Sequence, residues 1–295
     1  MQIKEKLKDQ KPLISFEVFP PKKEGDLEKI FKNIKALEEE SPDFFSVTYG
    51  AGGSSKDTTL KVAEFISKRG YNGLTHLTGI TSTKEEIDDI IEECKIKGIE
   101  NILALRGDYP QDEGQLKNDF KYASDLIKYI SSKGDFSIGA AFYPETHLES
   151  KNFEKDLKNL KKKVDSGADF LISQLFFDNN LFYKYLAKFN TYNINVPVIA
   201  GVFPVTNTRQ AKRVVELTDC SFPEKFKRIL YKYQDNDEAL KEAGIAYATN
   251  QIIDLLSWGI DGVHIYTMNR PDVTKEIMHN IKHIRKALVN ENKKG

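Results

Sequence analysis

The chain has 295 residues, with 44 lysines and arginines balanced by 44 aspartates and glutamates, so its formal net charge is zero. The lysines are scattered along helix-like segments together with glutamates and form no basic face, which argues against nucleic-acid binding. The charged amino terminus does not resemble a secretory signal and no apolar run is long enough to span a membrane, so we expect a cytoplasmic protein. Cys94 and Cys220 lack metal-ligand spacing, and we expect no bound metal.

Length and composition predict a single domain over residues 1–295. Hydrophobic residues make up 40% of the chain and charged residues 30%, which is the composition of an ordinary globular protein. The length is near the upper limit for one hydrophobic core, but β/α barrels often reach it as one domain. No linker or low-complexity segment divides the chain.

Short runs rich in β-branched and aromatic residues alternate with longer amphipathic stretches, as is typical of repeated βα units. The eight runs are residues 13–19, 43–49, 73–79, 101–107, 137–143, 170–176, 196–203 and 262–267. Corresponding positions in the first seven runs are about 30 residues apart, which is the length of one βα unit. The sequence therefore predicts eight parallel strands.

The step between the seventh and eighth runs is longer, because Phe203 and Tyr266 hold comparable positions and are 63 residues apart. This leaves room for an insertion of extra helices, for which residues 221–233, with Pro223 near their start, are the candidate. Periodicity alone does not choose between a closed barrel and an open, doubly wound sheet. The uniform repeat favours the barrel, and we predict an α/β fold of the (β/α)8 TIM barrel class.

Four glycines are predicted to end helices. Gly70, Gly98, Gly134 and Gly167 each precede a predicted strand by a few residues. Glycine is typical of the residue that follows a helix, because it adopts the left-handed conformation without a steric cost.

Polar residues collect where the predicted strands end. In a β/α barrel the catalytic groups come from the carboxyl ends of the strands and from the loops that follow. The polar residues found there are Glu17, Thr48, Tyr49, His76, Arg106, Asp108, Tyr143, Glu145, His147, Gln174, His264, Tyr266, Asn269 and Arg270. We therefore expect one shared pocket.

Several of these residues also have a structural interpretation. Glu17 lies between Phe16 and Val18, and a carboxylate buried in apolar surroundings is costly unless it is paired, which favours a functional role. His76 alone is compatible with a buried core histidine. His264 has no distinguishing context, and we interpret it as structural.

The segment GAGGSS at 50–55 resembles a dinucleotide-binding fingerprint only superficially. It lacks the third glycine, and no acidic residue ends the next strand, where a ribose would be recognised. We expect instead a tight loop that lets a ligand approach the backbone.

Seven motifs in order resemble the methylenetetrahydrofolate reductase family along nearly the whole chain. They are SFEVFPP at 15–21, VTYGAGGS at 47–54, HLTG at 76–79, LALRGD at 103–108, AAFYPETH at 140–147, SQLFFD at 173–178 and HIYTMNR at 264–270. The resemblance implies a β/α barrel that binds FAD without a Rossmann domain. It also implies the reduction of 5,10-methylenetetrahydrofolate to 5-methyltetrahydrofolate by ping-pong hydride transfer through FAD.

The resemblance further implies roles for individual residues. It implies FAD contacts for Thr48, His76, Arg106, Gly107, Asp108, Ala141, Tyr143, His147, Asp156, Asn159, Lys162 and Lys163. It implies folate contacts for Glu17, Asp108, Gln174, Gln210 and Arg270.

Glu17 is the catalytic residue that the resemblance implies. Opening the five-membered ring of the folate requires a proton at N10, and by hypothesis Glu17 is the acid that supplies it. The chain departs from the family at Val214, where bacterial members can carry an aromatic residue that stacks on folate and nicotinamide. The resemblance therefore does not extend to that stacking contact.

Two other interpretations remain open. One is a proline-oxidising flavoenzyme on the same barrel, whose substrate should require cationic residues rather than Glu17, Asp108 and Gln174. The other is a non-catalytic barrel subunit of an electron-transfer complex. The family resemblance also implies a homo-oligomer, and the electron donor can be NADH, NADPH or a partner protein.

Overall fold

The computed structural model of the chain describes residues 1–10, 12–21, 26–49, 56–110, 113–147, 149–218 and 220–292. Eight parallel strands form a closed barrel in which each strand pairs with the next and the eighth pairs with the first. The strands are β1 (Leu13–Val18), β2 (Phe44–Val47), β3 (Asn72–Thr78), β4 (Asn101–Leu105), β5 (Ser137–Phe142), β6 (Phe170–Ser173), β7 (Val198–Val202) and β8 (Gly262–Tyr266). Each overlaps one of the eight predicted runs, so the barrel prediction is confirmed.

Helices surround this barrel. They are α1 (Ile3–Asp9), α2 (Leu27–Glu38), α3 (Lys56–Lys68), α4 (Lys84–Ile96), α5 (Ala123–Ser131), α6 (Phe153–Asp165), α7 (Asn179–Leu186), α8 (Thr208–Thr218), α9 (Glu224–Tyr233), α10 (Asp237–Trp258) and α11 (Pro271–Asn292). Single 3-10 turns lie at Glu113–Gln115 and Asn190–Tyr192. Helices α8, α9 and α10 separate β7 from β8, and the predicted insertion is confirmed as α9.

Side chains alternate between the inside and the outside of the barrel, because successive residues of a strand point to opposite faces. On β1, Ile14, Phe16 and Val18 belong to the large hydrophobic core between the strands and the helices. A second core fills the barrel interior, and its strand residues are Leu13, Phe44, Leu74, Leu103, Phe170, Ile172 and Ile199. This alternation directs Glu17 into the barrel.

Helix α1 closes the amino-terminal end of the barrel. Ile3 and Leu7 are fully buried and pack in the interior core. The helix is tied to the starts of two strands, since the Ile3 N–H donates to Asn101 Oδ1 (2.7 Å) and the Lys4 N–H donates to Ser137 Oγ (3.0 Å). The carboxyl ends of the strands form the opposite, open mouth.

The glycine prediction is confirmed at three positions and wrong at one. Gly70, Gly98 and Gly167 have φ angles of +84°, +66° and +112°, and each stands two residues after the end of its helix. Gly134 does not have a positive φ. Helix α5 ends three residues earlier, at Ser131, so Gly134 lies beyond the position that requires a left-handed residue.

Candidate active site

A cavity of about 1200 Å³ opens at the carboxyl ends of the strands. Residues at the ends of β1 to β6 and β8 line it, and it continues along the first turn of α5 and one face of α6. Pockets for drug-sized ligands measure about 300–1,000 Å³. The cavity is therefore large enough for a nucleotide cofactor together with a second ligand.

The cavity brings together most of the residues that the sequence analysis singles out. Its wall includes Glu17, Thr48, His76, Arg106, Gly107, Asp108, Ala141, Tyr143, His147, Asp156, Asn159, Lys162, Lys163 and Gln174. Tyr49, His264 and Tyr266 line it as well. The predicted tight loop at residues 50–55 lies outside the described residues.

Gln210 and Arg270 do not line this cavity. Both contact Thr206 instead, whose N–H and Oγ1 donate to Gln210 Oε1 at 2.8 Å and 2.9 Å. Arg270 donates to Thr206 Oγ1 at 3.2 Å and forms a salt bridge with Asp272 at 2.8 Å. The structure thus brings the two residues to one place, but that place is beyond the cavity wall.

Glu17 lies in the barrel mouth with only 6% of its surface exposed. Its Oε2 is 3.5 Å from His264 Nε2 and 3.6 Å from His76 Nε2. No lysine or arginine in the described part of the chain forms a salt bridge with it. A buried carboxyl group without a cationic partner is costly as a purely structural element. Glu17 also lines the cavity, so its carboxyl group can contact a ligand bound there.

The two histidines beside Glu17 are each bound to a serine. His76 Nε2 lies 2.6 Å from Ser46 Oγ, and His264 Nδ1 lies 2.7 Å from Ser15 Oγ. Burial lowers the pKa of His76 to about 4, although the charge of Glu17 acts in the opposite direction. The His76 ring is therefore neutral near pH 7.

His264 is a site residue that the sequence analysis misses. The structure lays its ring in the cavity wall, where Nε2 faces Glu17. A signal was present in the strand periodicity, because His264 stands two residues before Tyr266 and shares its inward face.

The far end of the cavity follows α6, where residues three or four positions apart share one face. Its lining there includes Lys155, Asp156, Asn159, Lys162 and Lys163. Lys163 Nζ donates to Ala141 O at 2.7 Å, and burial lowers the pKa of this lysine to about 8 against the opposing effect of Asp156. The Tyr185 hydroxyl donates to Asp156 at 2.7 Å and holds that carboxylate in place. This end of the cavity offers ammonium groups to an anionic ligand.

Arg106 contributes a guanidinium group to the wall. It forms a two-bond ion pair with Glu149, in which Nη2 and Oε1 are 2.6 Å apart, and it lies 4.7 Å from the centre of the Tyr109 ring. The paired charges raise the pKa of Arg106 and lower that of Glu149. Nearby, Tyr143 and His147 meet edge to face with ring centres 4.5 Å apart, and burial raises the pKa of Tyr143.

One buried polar atom indicates that the cavity is built for a ligand. Thr48 lines the cavity, and its Oγ1 is buried without a hydrogen-bond partner among the described residues. Buried hydroxyls are nearly always hydrogen-bonded in proteins, so a ligand group would complete this one. Within the same residues, no group of three or more His, Cys, Asp or Glu could hold a metal ion. None of the helices described is long and apolar enough to cross a membrane.

Known sequences relate this site to one family. Residues 2–282 match the family model described as methylenetetrahydrofolate reductase. The chain is 35% identical over 269 residues to 5,10-methylenetetrahydrofolate reductase of Escherichia coli (strain K12), covering 91% of this chain and 90% of that protein. It is 35% identical over 270 residues to methylenetetrahydrofolate reductase (NADH) 1 of Arabidopsis thaliana, covering 86% and 46%. The chain therefore spans about half the length of the plant relatives it matches.

Solved structures share the fold. An uncharacterized protein from Clostridium thermocellum that binds two copies of 5-methyl-5,6,7,8-tetrahydrofolic acid superposes with a TM-score of 0.70 at 17% identity, covering 97% of this chain and 99% of that one. A DHPS of Yersinia pestis with a pterine-sulfa conjugate gives a TM-score of 0.52 at 11% identity, covering 95% of each chain. These identities support likeness of fold alone. The sequence match over almost the whole chain goes further, and by it the chain belongs to the methylenetetrahydrofolate reductase family.

Proposed function

We propose that the protein reduces 5,10-methylenetetrahydrofolate to 5-methyltetrahydrofolate with FAD as its cofactor. The names of its relatives support the reaction, and the folate bound by the structural neighbour from Clostridium thermocellum supports the substrate class. The observation that carries the proposal is the carboxyl group of Glu17, which is buried at the cavity without a cationic partner among the described residues.

The cavity wall suits FAD. When bound, FAD supplies the transfer of hydride from a reduced nicotinamide to folate. The residues that would hold it are Thr48, His76, Arg106, Gly107, Asp108, Ala141, Tyr143, His147, Asp156, Asn159, Lys162 and Lys163. Among them, the cations would pair with the pyrophosphate, because charge-assisted hydrogen bonds to phosphate are strong. The Thr48 hydroxyl would gain the partner that it lacks within the described chain.

On the substrate side, Glu17 would hold the proton that folate needs at N10 for ring opening. Asp108 and Gln174, which also line the cavity, would form hydrogen bonds with the pterin edge. Gln210 and Arg270 complete the proposed folate contacts. They lie beyond the cavity wall, where Arg270 would pair with the carboxylates of the folate glutamate tail.

NADH is the proposed electron donor, since the names of plant relatives include it. NADPH and a reduced partner protein are the alternatives that the experiment below compares. We also propose a cytoplasmic homo-oligomer in which residues 1–295 form one domain. The packing of α1 into the barrel and of α11 against α2 and α10 supports the single domain.

Anaerobic spectroscopy tests this function directly. The purified protein should bind FAD and show its absorbance, and NADH, NADPH or a reduced partner protein should bleach it. Methylenetetrahydrofolate should then restore the oxidised spectrum and yield an equal amount of 5-methyltetrahydrofolate. If methylenetetrahydrofolate fails to reoxidise the bleached flavin, the proposal that it is the substrate is refuted. A protein that binds no flavin would refute the cofactor.

A further inference from the structure

Two serine–histidine pairs flank Glu17, and they differ in a way that the motifs do not reveal. Ser15 and His264 lie on β1 and β8, whereas Ser46 and His76 lie on β2 and β3. Both rings bring an Nε2 atom to within 3.6 Å of Glu17 Oε2. The two serines, however, engage different ring nitrogens.

In the pair of Ser46 and His76, the histidine nitrogen nearest Glu17 already has a hydrogen-bond partner. Ser46 Oγ lies 2.6 Å from His76 Nε2, and the same nitrogen is the one 3.6 Å from Glu17. A ring nitrogen acts as one donor or one acceptor, and the contact of His76 Nε2 with Ser46 is shorter by 1.0 Å than its contact with Glu17. His76 Nε2 therefore serves Ser46 and not Glu17.

In the other pair, the nitrogen nearest Glu17 is available. Ser15 Oγ lies 2.7 Å from His264 Nδ1, on the far side of the ring, and leaves Nε2 3.5 Å from Glu17 Oε2. The Ser15 hydroxyl could donate to Val263 O instead, but that separation is 3.4 Å and the bond is weaker. The shorter contact favours a hydroxyl that donates to Nδ1, and when Nδ1 accepts this bond the imidazole proton is on Nε2, facing Glu17.

We propose that Ser15 and His264 are positioning residues for Glu17, in which Ser15 fixes the Nε2–H tautomer of His264 and this N–H holds the Glu17 carboxylate once its proton has passed to folate. The catalytic part of this proposal rests on the proposed function. A hydrogen bond to the charged form of an acid favours that form, so the pair strengthens the acid. The separation of 3.5 Å is consistent with this role, because catalytic hydrogen bonds often shorten only when substrate binds.

Packing holds the His264 ring in a fixed orientation toward Glu17. His264 is 1% exposed, its ring stacks on Phe44 with centres 6.1 Å apart, and it meets the Tyr266 ring at 5.2 Å. Its orientation is thus fixed by packing as well as by Ser15. A side chain locked in this manner can orient a neighbouring carboxyl group at little entropic cost.

A pH profile can isolate this contact. The titratable groups that face Glu17 from the neighbouring strands are His76 on β3 and His264 and Tyr266 on β8. Burial lowers the pKa of His76 to about 4 and raises that of Tyr266 well above 10, so both stay neutral across the neutral pH range. A change in the profile of the folate step over this range therefore does not come from His76 or Tyr266.

Ser15→Ala and Ser46→Ala form a matched pair of variants, because each removes one fully buried hydroxyl from a histidine beside Glu17. Stopped-flow measurements follow bleaching by NADH and reoxidation by folate separately from about pH 5 to about pH 9. In Ser15→Ala the folate step should fall about tenfold at its low-pH plateau, and its pH inflection should rise by about one unit. Bleaching should be retained. Ser46→Ala should leave the inflection in place.

A second measurement does not depend on turnover. In protein labelled with 15N-histidine, the two ring nitrogen shifts of His264 report its tautomer, and His264→Gln identifies its signals among those of the five histidines. The Nε2–H tautomer should dominate in the unsubstituted protein and in Ser46→Ala, and become mixed in Ser15→Ala. An Nδ1–H tautomer in the unsubstituted protein, or an inflection that Ser15→Ala does not move, would overturn the proposal. Failure of folate to reoxidise the unsubstituted protein would instead refute the proposed function and the catalytic role with it.

Discussion

At the scale of single residues, Glu17 divides the proposed reaction into two steps that can be measured apart. Glu17→Gln keeps the size of the side chain and removes its proton. We expect normal FAD binding and normal bleaching by the electron donor, because neither needs an acid at this position. Reoxidation by folate should slow by about a hundredfold or more, the scale typical of the loss of a general acid. Rapid-mixing absorbance measurements give both rates.

Glu276→Gln is the matched control, because it makes the same change on the exposed side of α11. Both of its rates should equal those of the unsubstituted protein. Near-normal folate turnover in Glu17→Gln would show that the proton comes from another group.

The buried neutral ring of His76 makes stability depend on pH. Its pKa is about 4 in the folded protein against an ordinary 6.5, so between these values the unfolded chain binds a proton that the folded chain does not. The free energy of unfolding should therefore be largest above pH 6.5 and lose up to about 3 kcal/mol as the pH falls to 4. Urea unfolding across this range should give a flatter profile for His76→Gln. Identical profiles for the two proteins would contradict the conclusion that His76 is buried in its neutral form.

The sequence identifies the types of residue in the site better than their pairings. Glu17 is recognisable because its neighbours Phe16 and Val18 are apolar, and its place at the cavity agrees with that prediction. For His264, the strand periodicity indicates an inward position, but nothing in its neighbours along the chain indicates a ring nitrogen 3.5 Å from a carboxylate on another strand. Gln210 and Arg270 show the same limit, since their shared contact with Thr206 depends on distances that a motif does not encode.

At the scale of secondary-structure elements, α6 presents one face to the cavity and another to solvent. Lys163 is on the cavity face, whereas Lys161 is not part of the lining and pairs with Asp165 along the helix. Lys163→Met should raise the dissociation constant of FAD by about 10-fold to 100-fold, the cost of one charge-assisted hydrogen bond. Lys161→Met should leave it near its original value. Titration of flavin fluorescence measures both, and equal losses would contradict a specific role for the cavity face.

Elements with a long repeat are predictable, and short ones are less so. The βα period of about 30 residues gives the first seven strands, and the eighth is recognised as a further run of the same composition after a longer step. Helix α1 is not predicted from the sequence, because it spans only seven residues and its two buried residues, Ile3 and Leu7, are too few to show a helical period. Gly134 is misassigned because α5 ends one residue earlier, relative to its glycine, than the other three helices.

At the scale of the whole molecule, the barrel separates a structural end from a chemical end. Leu7→Ala would empty part of the interior core beneath the strands and should lower the free energy of unfolding by about 2–5 kcal/mol. FAD affinity should stay unchanged, because the cavity lies at the opposite end. Lys8→Ala, an exposed change in the same helix, is the control. Urea unfolding and flavin titration test the pair, and loss of FAD affinity in Leu7→Ala would show that the two ends are coupled.

The alternation of side chains on β1 also limits how this protein can evolve. Ser15 and Glu17 point inward while Phe16 and Val18 point outward, so an insertion or deletion of one amino acid early in the strand would turn the acid into the outer layer and bring an aromatic ring to the mouth. We therefore expect β1 to tolerate substitutions but not insertions or deletions of one residue. The connection from β7 to β8, which contains α8, α9 and α10, can change in length without moving Glu17.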